Sequence, residues 1–163
     1  MNLKLFLNNK KCLFWGTLFL IINIFSVFIL KELNAFFILN IMFSIAIVDF
    51  YKFEIPDLSI FFLLIISLFN FSIINLFFVI FIFFLTFYYW KIEKMGFGDV
   101  KLLSVLTIYY GYHIFYILIL SISTAIFSNI LKKKDKIPFG YHMFFGIILY
   151  YLLLLVIDFK KYI

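Results

Sequence analysis

The chain has 163 residues, of which 67% are hydrophobic, 25% aromatic and only 13% charged, with a formal net charge of +6. An ordinary soluble domain is about 45–50% apolar and about 25% charged, and a small globule leaves much of its surface in water. This composition excludes a soluble enzyme, a disordered chain and a nucleic-acid-binding module, and leaves a polytopic membrane protein with almost no domain outside the bilayer.

Seven apolar stretches follow one another along the chain: 13–30, 35–50, 57–70, 72–90, 98–111, 113–131 and 140–158. They are continuously apolar rather than alternating, which predicts helices and not barrel strands. A crossing needs about 20 residues, so the first, fourth, sixth and seventh fit, and the third and fifth are short. The expectation is an all-α membrane bundle of about six or seven transmembrane helices, in one domain over 1–163. Residues 1–34 carry Lys4, Lys10 and Lys11 ahead of an apolar run with no small-residue cleavage site. They read as a retained signal-anchor helix. The single cysteine, Cys12, allows neither an intramolecular disulfide nor a Cys-based zinc site.

Every basic residue is a lysine, and the lysines cluster between the apolar runs. With the N-terminus cytoplasmic, eleven lie inside, and only Lys31, Lys160 and Lys161 lie outside. The positive-inside rule selects that orientation. The outer turns at 31–34, 70–75 and 110–113 are short, so any chemistry is expected at the cytoplasmic face.

Of the eight acids, Glu32 and Asp158 fall at outer boundaries, and Glu54, Glu93 and Asp135 in lysine-bearing inner segments. Solvated loop charges are the ordinary reading there. Asp49 and Asp99 differ. Asp49 follows the apolar run Phe43–Val48, about one turn from the end of its helix. Asp99 opens the fifth helix within Met95–Gly96–Phe97–Gly98–Asp99–Val100–Lys101. Two crossings separate them, so both sit at the inner boundary, on helices that can be neighbours. Two carboxylates a few Å apart in a low-dielectric site cannot both ionise and share a proton. One can then activate water while its protonated partner polarises a carbonyl. The alternative is that each aspartate caps a helix or pairs with a lysine such as Lys101.

Gly96 and Gly98 permit close backbone approach before Asp99 and leave helix N-terminal N–H groups available to an oxyanion. Their spacing fits neither a phosphate-binding Walker loop nor a dinucleotide fingerprint. His113 and His142 lie on opposite faces and read as interfacial histidines. Ser44, Ser104 and Thr107 can bond back to their helices or across to others. Trp15 and Trp90 fit an interfacial aromatic belt.

Three segments resemble the peptidase core of the type IV prepilin peptidases and the archaeal preflagellin peptidases. They are Asp49–Phe50–Tyr51–Lys52–Phe53–Glu54–Ile55–Pro56–Asp57, Met95–Gly96–Phe97–Gly98–Asp99–Val100–Lys101–Leu102–Leu103, and Ile137–Pro138–Phe139–Gly140. They occur in family order over roughly 35–158. The resemblance implies that Asp49 and Asp99 are the catalytic pair of an intramembrane aspartic endopeptidase. Such an enzyme cuts the basic leader from pilin-like or archaellin-like precursors at the cytoplasmic membrane surface.

On this reading Gly96, Gly98, Lys101, Pro138 and Gly140 shape the site. Glu54, Asp57 and Glu93 add negative potential toward a basic leader, although Asp57 is also placed to cap the helix after Pro56. Many bacterial relatives carry an N-terminal zinc-binding domain with Cys-x-x-Cys motifs that goes with N-methylation. This chain, with one cysteine, is expected to be a peptidase without methyltransferase, metal or cofactor. Tyr141 stands where relatives often have proline. The partners implied are a prepilin-like precursor and the lipid bilayer, with no nucleic acid.

Other readings are a non-catalytic assembly factor that holds pilin-like helices, and a cation- or proton-coupled transporter. A transporter would spread its acids through the membrane depth, whereas Asp49, Asp57 and Asp99 gather at one face. The Gly-x-Gly-Asp pattern also occurs in presenilin-like enzymes, whose catalytic helix order and third motif look different from Ile-Pro-Phe-Gly.

Overall fold

The computed structural model describes residues 9–25, 33–132 and 136–160, with side chains described over 14–24, 33–130 and 136–157. Lys4, Lys31, Glu32, Lys133, Lys134, Asp135 and Lys161 lie outside the described residues, as do the side chains of Lys10, Lys11, Cys12, Lys132, Asp158 and Lys160.

All regular structure among the described residues is helical: α1 (Asn9–Phe25), α2 (Leu33–Lys52), α3 (Asp57–Leu68), α4 (Ile73–Lys91), α5 (Phe97–Tyr110), α6 (Ile114–Lys132) and α7 (Phe139–Lys160). Each corresponds to one apolar stretch of the sequence. Four helical segments are long and apolar enough to cross a membrane: Leu33–Lys52, Ile73–Lys91, Phe97–Ile130 and Phe139–Ile157. The third of these folds back on itself through a single 3₁₀ turn, Gly111–His113, and so contributes two helices. The 12 residues of α3 and 14 of α5 rise only about 18 and 21 Å, short of a hydrocarbon core about 30 Å thick.

Contacts at the two ends fix the helix directions. Trp90 at the end of α4 meets Phe97 at the start of α5 (ring centroids 5.1 Å). At the opposite end the Asn75 amide donates to the Ile108 carbonyl (2.9 Å). The Tyr110 and Tyr151 hydroxyls are 3.2 Å apart, so α5 and α7 run the same way. His113 lies by Tyr150 and Thr124 by His142, so α6 runs against α7. Gly111, at φ 54°, makes the reversal, and its backbone lies so close to the Asn75 side chain that a Cβ there has no room.

In lipid no hydrophobic force pulls helices together, and close packing decides which faces meet. The central helix is α5. Val100, Leu102, Leu103, Val105, Leu106, Thr107, Tyr109 and Tyr110 are buried. It packs on α3 and α4, while α2 packs on α3 and α7, and α6 on α7. Only Ile82 and Thr86 of α4 are buried; Phe77, Phe84 and their neighbours are exposed and face lipid. Trp15 ties α1 to α2: its Nε1–H donates to the Tyr51 hydroxyl (3.0 Å), and its ring lies against Phe43 and, on α7, Tyr141.

Two expectations need correction. His142 is not interfacial but buried between α6 and α7, with its Nδ1 3.2 Å from the Thr124 hydroxyl. The N-cap of α3 is Pro56, not Asp57, which is the first helical residue and makes no side-chain cap. Ser44, Ser104 and Thr107 all bond back to carbonyls four residues earlier in their own helices.

Candidate active site

Asp49 lies three residues before the end of α2 and is buried, 4% exposed. The backbone N–H groups of Gly140 and Tyr141 donate to its carboxylate, the latter at 3.1 Å. These are the second and third residues of α7, whose N–H groups have no partner within their own helix. An anion is favoured at such an N-terminus. Asp49 therefore caps α7 from a neighbouring helix. The close approach depends on Gly140, where a Cβ would come 3.2 Å from Asp49 Oδ2 and 3.0 Å from Ile45 Cγ2.

Asp99 is the third residue of α5, and its Oδ2 reaches back to accept the Gly96 N–H at 3.2 Å. Capping and catalysis stood as alternatives for these residues. Here both carboxylates are caps, and both also line one cleft of about 960 Å³. The helices that carry them do not pack side by side: α3 lies against both, and the start of α7 closes onto Asp49. Phe53 of the α2–α3 connection, Tyr89 and Trp90 of α4, and Ala125 of α6 complete the walls with Phe97, Ile137 and Phe139.

The other sequence candidates separate into two groups. Gly96 and Glu93 line the cleft. Gly98 faces Ile55. Lys101 donates to Asp57 Oδ1 at 2.7 Å, with Asp57 79% exposed, and lies 5.0 Å from the centre of the Phe97 ring. Glu54 is exposed and does not line the cleft. Pro138 precedes α7, and its carbonyl accepts the His142 N–H at 3.3 Å.

Lys94 and Lys136 also line the cleft. Sequence reasoning had used them only as orientation charges, because a lysine in a loop carries no local sign of which way it points. Phe53 (φ 55°), directly after α2, and Glu93 (φ 58°), one residue beyond the α4 cap Ile92, take left-handed backbone conformations. Glycine is the usual residue at that position, and both of these non-glycine residues are cleft residues. Among the described residues no three His, Cys, Asp or Glu side chains gather as metal ligands.

A helical membrane bundle in which a buried and a half-buried carboxylate open on one cleft is a membrane protein built around a polar site at one end of its helices. The family model of the type IV leader peptidases matches residues 35–131, more than half of the chain, and the chain belongs to that family. It is a membrane peptidase. The matched region holds Asp49, Asp99 and the helices between them; the Ile137–Gly140 segment lies beyond it. No curated protein and no solved structure matches the chain.

Proposed function

We propose that the protein is an intramembrane aspartic endopeptidase that removes the basic leader of type IV prepilin-like precursors, with Asp49 and Asp99 as its catalytic pair. The supporting observation is their convergence, from positions fifty apart, on the single cleft between the ends of α2, α5 and α7. Water held between the carboxylates attacks the scissile carbonyl. One carboxylate takes a proton from the water while the other gives its proton to the carbonyl oxygen. The tetrahedral intermediate then collapses as a proton passes to the amide nitrogen, releasing the leader as a carboxylic acid and the mature chain as an amine.

The described lysines Lys52, Lys91, Lys94, Lys101 and Lys136 lie at the cleft end of the helices or in their connections. By the positive-inside rule that end faces the cytoplasm, where a leader with its following apolar helix still in lipid meets the site. The test is cleavage of a leader-bearing precursor in membranes, with Asp49→Asn and Asp99→Asn beside the native chain. Processing is expected to fall by about 10²–10⁴-fold in each variant while the protein still inserts; processing near the native rate in either one would falsify the assignment.

A further inference from the structure

The connection between α2 and α3 touches α5 twice on one face. Ile55 lies against Gly98, where a Cβ would come 3.2 Å from the Ile55 Cβ and 3.6 Å from its Cγ1. Two residues on, Asp57 Oδ1 meets Lys101 Nζ at 2.7 Å. Gly98 and Lys101 are three apart on a helix and share a face, and Asp99 follows directly on Gly98. The connection also begins close to the other carboxylate. The Phe53 N–H bonds the Asp49 carbonyl at 2.9 Å, and Phe53 turns the chain with its left-handed backbone. Pro56, at φ −67°, holds the other end in place as the N-cap of α3. Asp49 and Asp99 are thus joined by a short path through the α2–α3 connection, whose first residue, Phe53, also lines the cleft.

An exposed ion pair contributes little to stability, so the Asp57–Lys101 pair is poorly explained as a fold-holding contact. Its place in this path gives it a different use. We propose that the Phe53–Asp57 connection is a gauge that sets the gap between the two carboxylates, with Ile55, Gly98, Asp57 and Lys101 as positioning residues for hydrolysis. The proposal rests on the paired-aspartate reading. It makes Gly98 a spacing requirement: a Cβ there stands 3.2 Å from the Ile55 Cβ, so Ile55 must give way by a few tenths of an ångström. Misplacement by about 1 Å can cost about 10²-fold in rate.

Two readouts test the gauge in the full chain in membranes. The first does not depend on activity. In a Cys12→Ser background, Asp49→Cys and Asp99→Cys introduce two thiols, and the yield of a short bifunctional thiol cross-link reports their gap. Adding Gly98→Val, Asp57→Lys or Lys101→Asp is expected to lower the yield, most of all for Gly98→Val. Combining Asp57→Lys with Lys101→Asp is expected to recover it. The second readout is precursor cleavage in the otherwise native chain. Gly98→Ala is expected to lower kcat about tenfold with KM unchanged, and adding Ile55→Gly to restore it.

A cross-linking yield that stays constant across these backgrounds overturns the gauge, as does an unchanged kcat for Gly98→Ala. If the parent thiol pair never cross-links, the gauge and the paired-aspartate reading fall together. If the cross-linking pattern holds but the native chain cleaves no leader-bearing precursor, the gauge stands and the proposed substrate fails.

Discussion

At the far end of the bundle polar groups close on one another, whereas at the cleft end they border open space. Around the Gly111–His113 turn the Asn75 amide finds the Ile108 carbonyl, the Tyr110 and Tyr151 hydroxyls meet, and the His113 ring lies among Tyr112, Tyr116 and Tyr150. These contacts join α4, α5, α6 and α7 and leave Gly111 fully enclosed. At the opposite end Asp49 and Asp99 also accept hydrogen bonds, from helix N-termini, yet they stand on the wall of a large cleft beside Glu93, Lys94 and Lys136. Both ends draw on α4, α5, α6 and α7, and most of their polar groups are satisfied; at the far end of α3 the Ser67 Oγ is buried with no hydrogen-bond partner. What sets the cleft end apart is the presence of ionisable groups around accessible space, which is what a hydrolytic site requires and a structural cap does not.

Substitutions that separate activity from stability sharpen this contrast. The largest effect belongs to the carboxylates. Asp49→Asn or Asp99→Asn is expected to lower cleavage by about 10²–10⁴-fold, read as processed precursor per unit of inserted protein. Next comes Gly140→Val, whose side chain enters the space held by Asp49 Oδ2 and Ile45. It is expected to cost about 10²-fold in kcat through displacement of Asp49, measured in the same membranes. At the far end the sign of the experiment reverses. Gly111→Ala places a Cβ on a left-handed residue pressed against Asn75. It is expected to destabilise the protein by about 1–3 kcal/mol, seen as a lower thermal midpoint in detergent, with unchanged activity per folded molecule. The smallest effect is Tyr110→Phe, which removes one buried hydrogen bond and is expected to cost about 1 kcal/mol. An activity loss in either far-end variant that exceeds its loss of folded protein would break the distinction between the two ends.

The helical class, the seven segments and the placement of Asp49 and Asp99 at one level were legible in the sequence, because they follow from local quantities. Apolar run length sets what can cross a bilayer, and an even number of crossings between two residues returns them to one side. The resemblance carried by the Asp49–Asp57 and Met95–Leu103 segments pointed to the family that the 35–131 match shows. The role of Asp57 was not legible in the same way. As the residue after Pro56 it reads as a local cap, but its carboxylate turns to Lys101, forty-four positions away. His142 reads as interfacial by its place near a span end, and lateral packing of α6 on α7 buries it.

Along the membrane normal, hydropathy and length locate each residue without knowledge of its neighbours. Around the bundle axis they do not, since lipid and a neighbouring apolar helix are nearly equivalent solvents for leucine or phenylalanine. The sequence by itself therefore determined that Asp49 and Asp99 fall at one end of the helices, and only the tertiary structure decided which groups face each other. That is why α5 became the enclosed helix and α4 a lipid-facing one. It is also why Ile55 was found against Gly98, Asp49 against the start of α7, and Lys94 and Lys136 on the cleft wall.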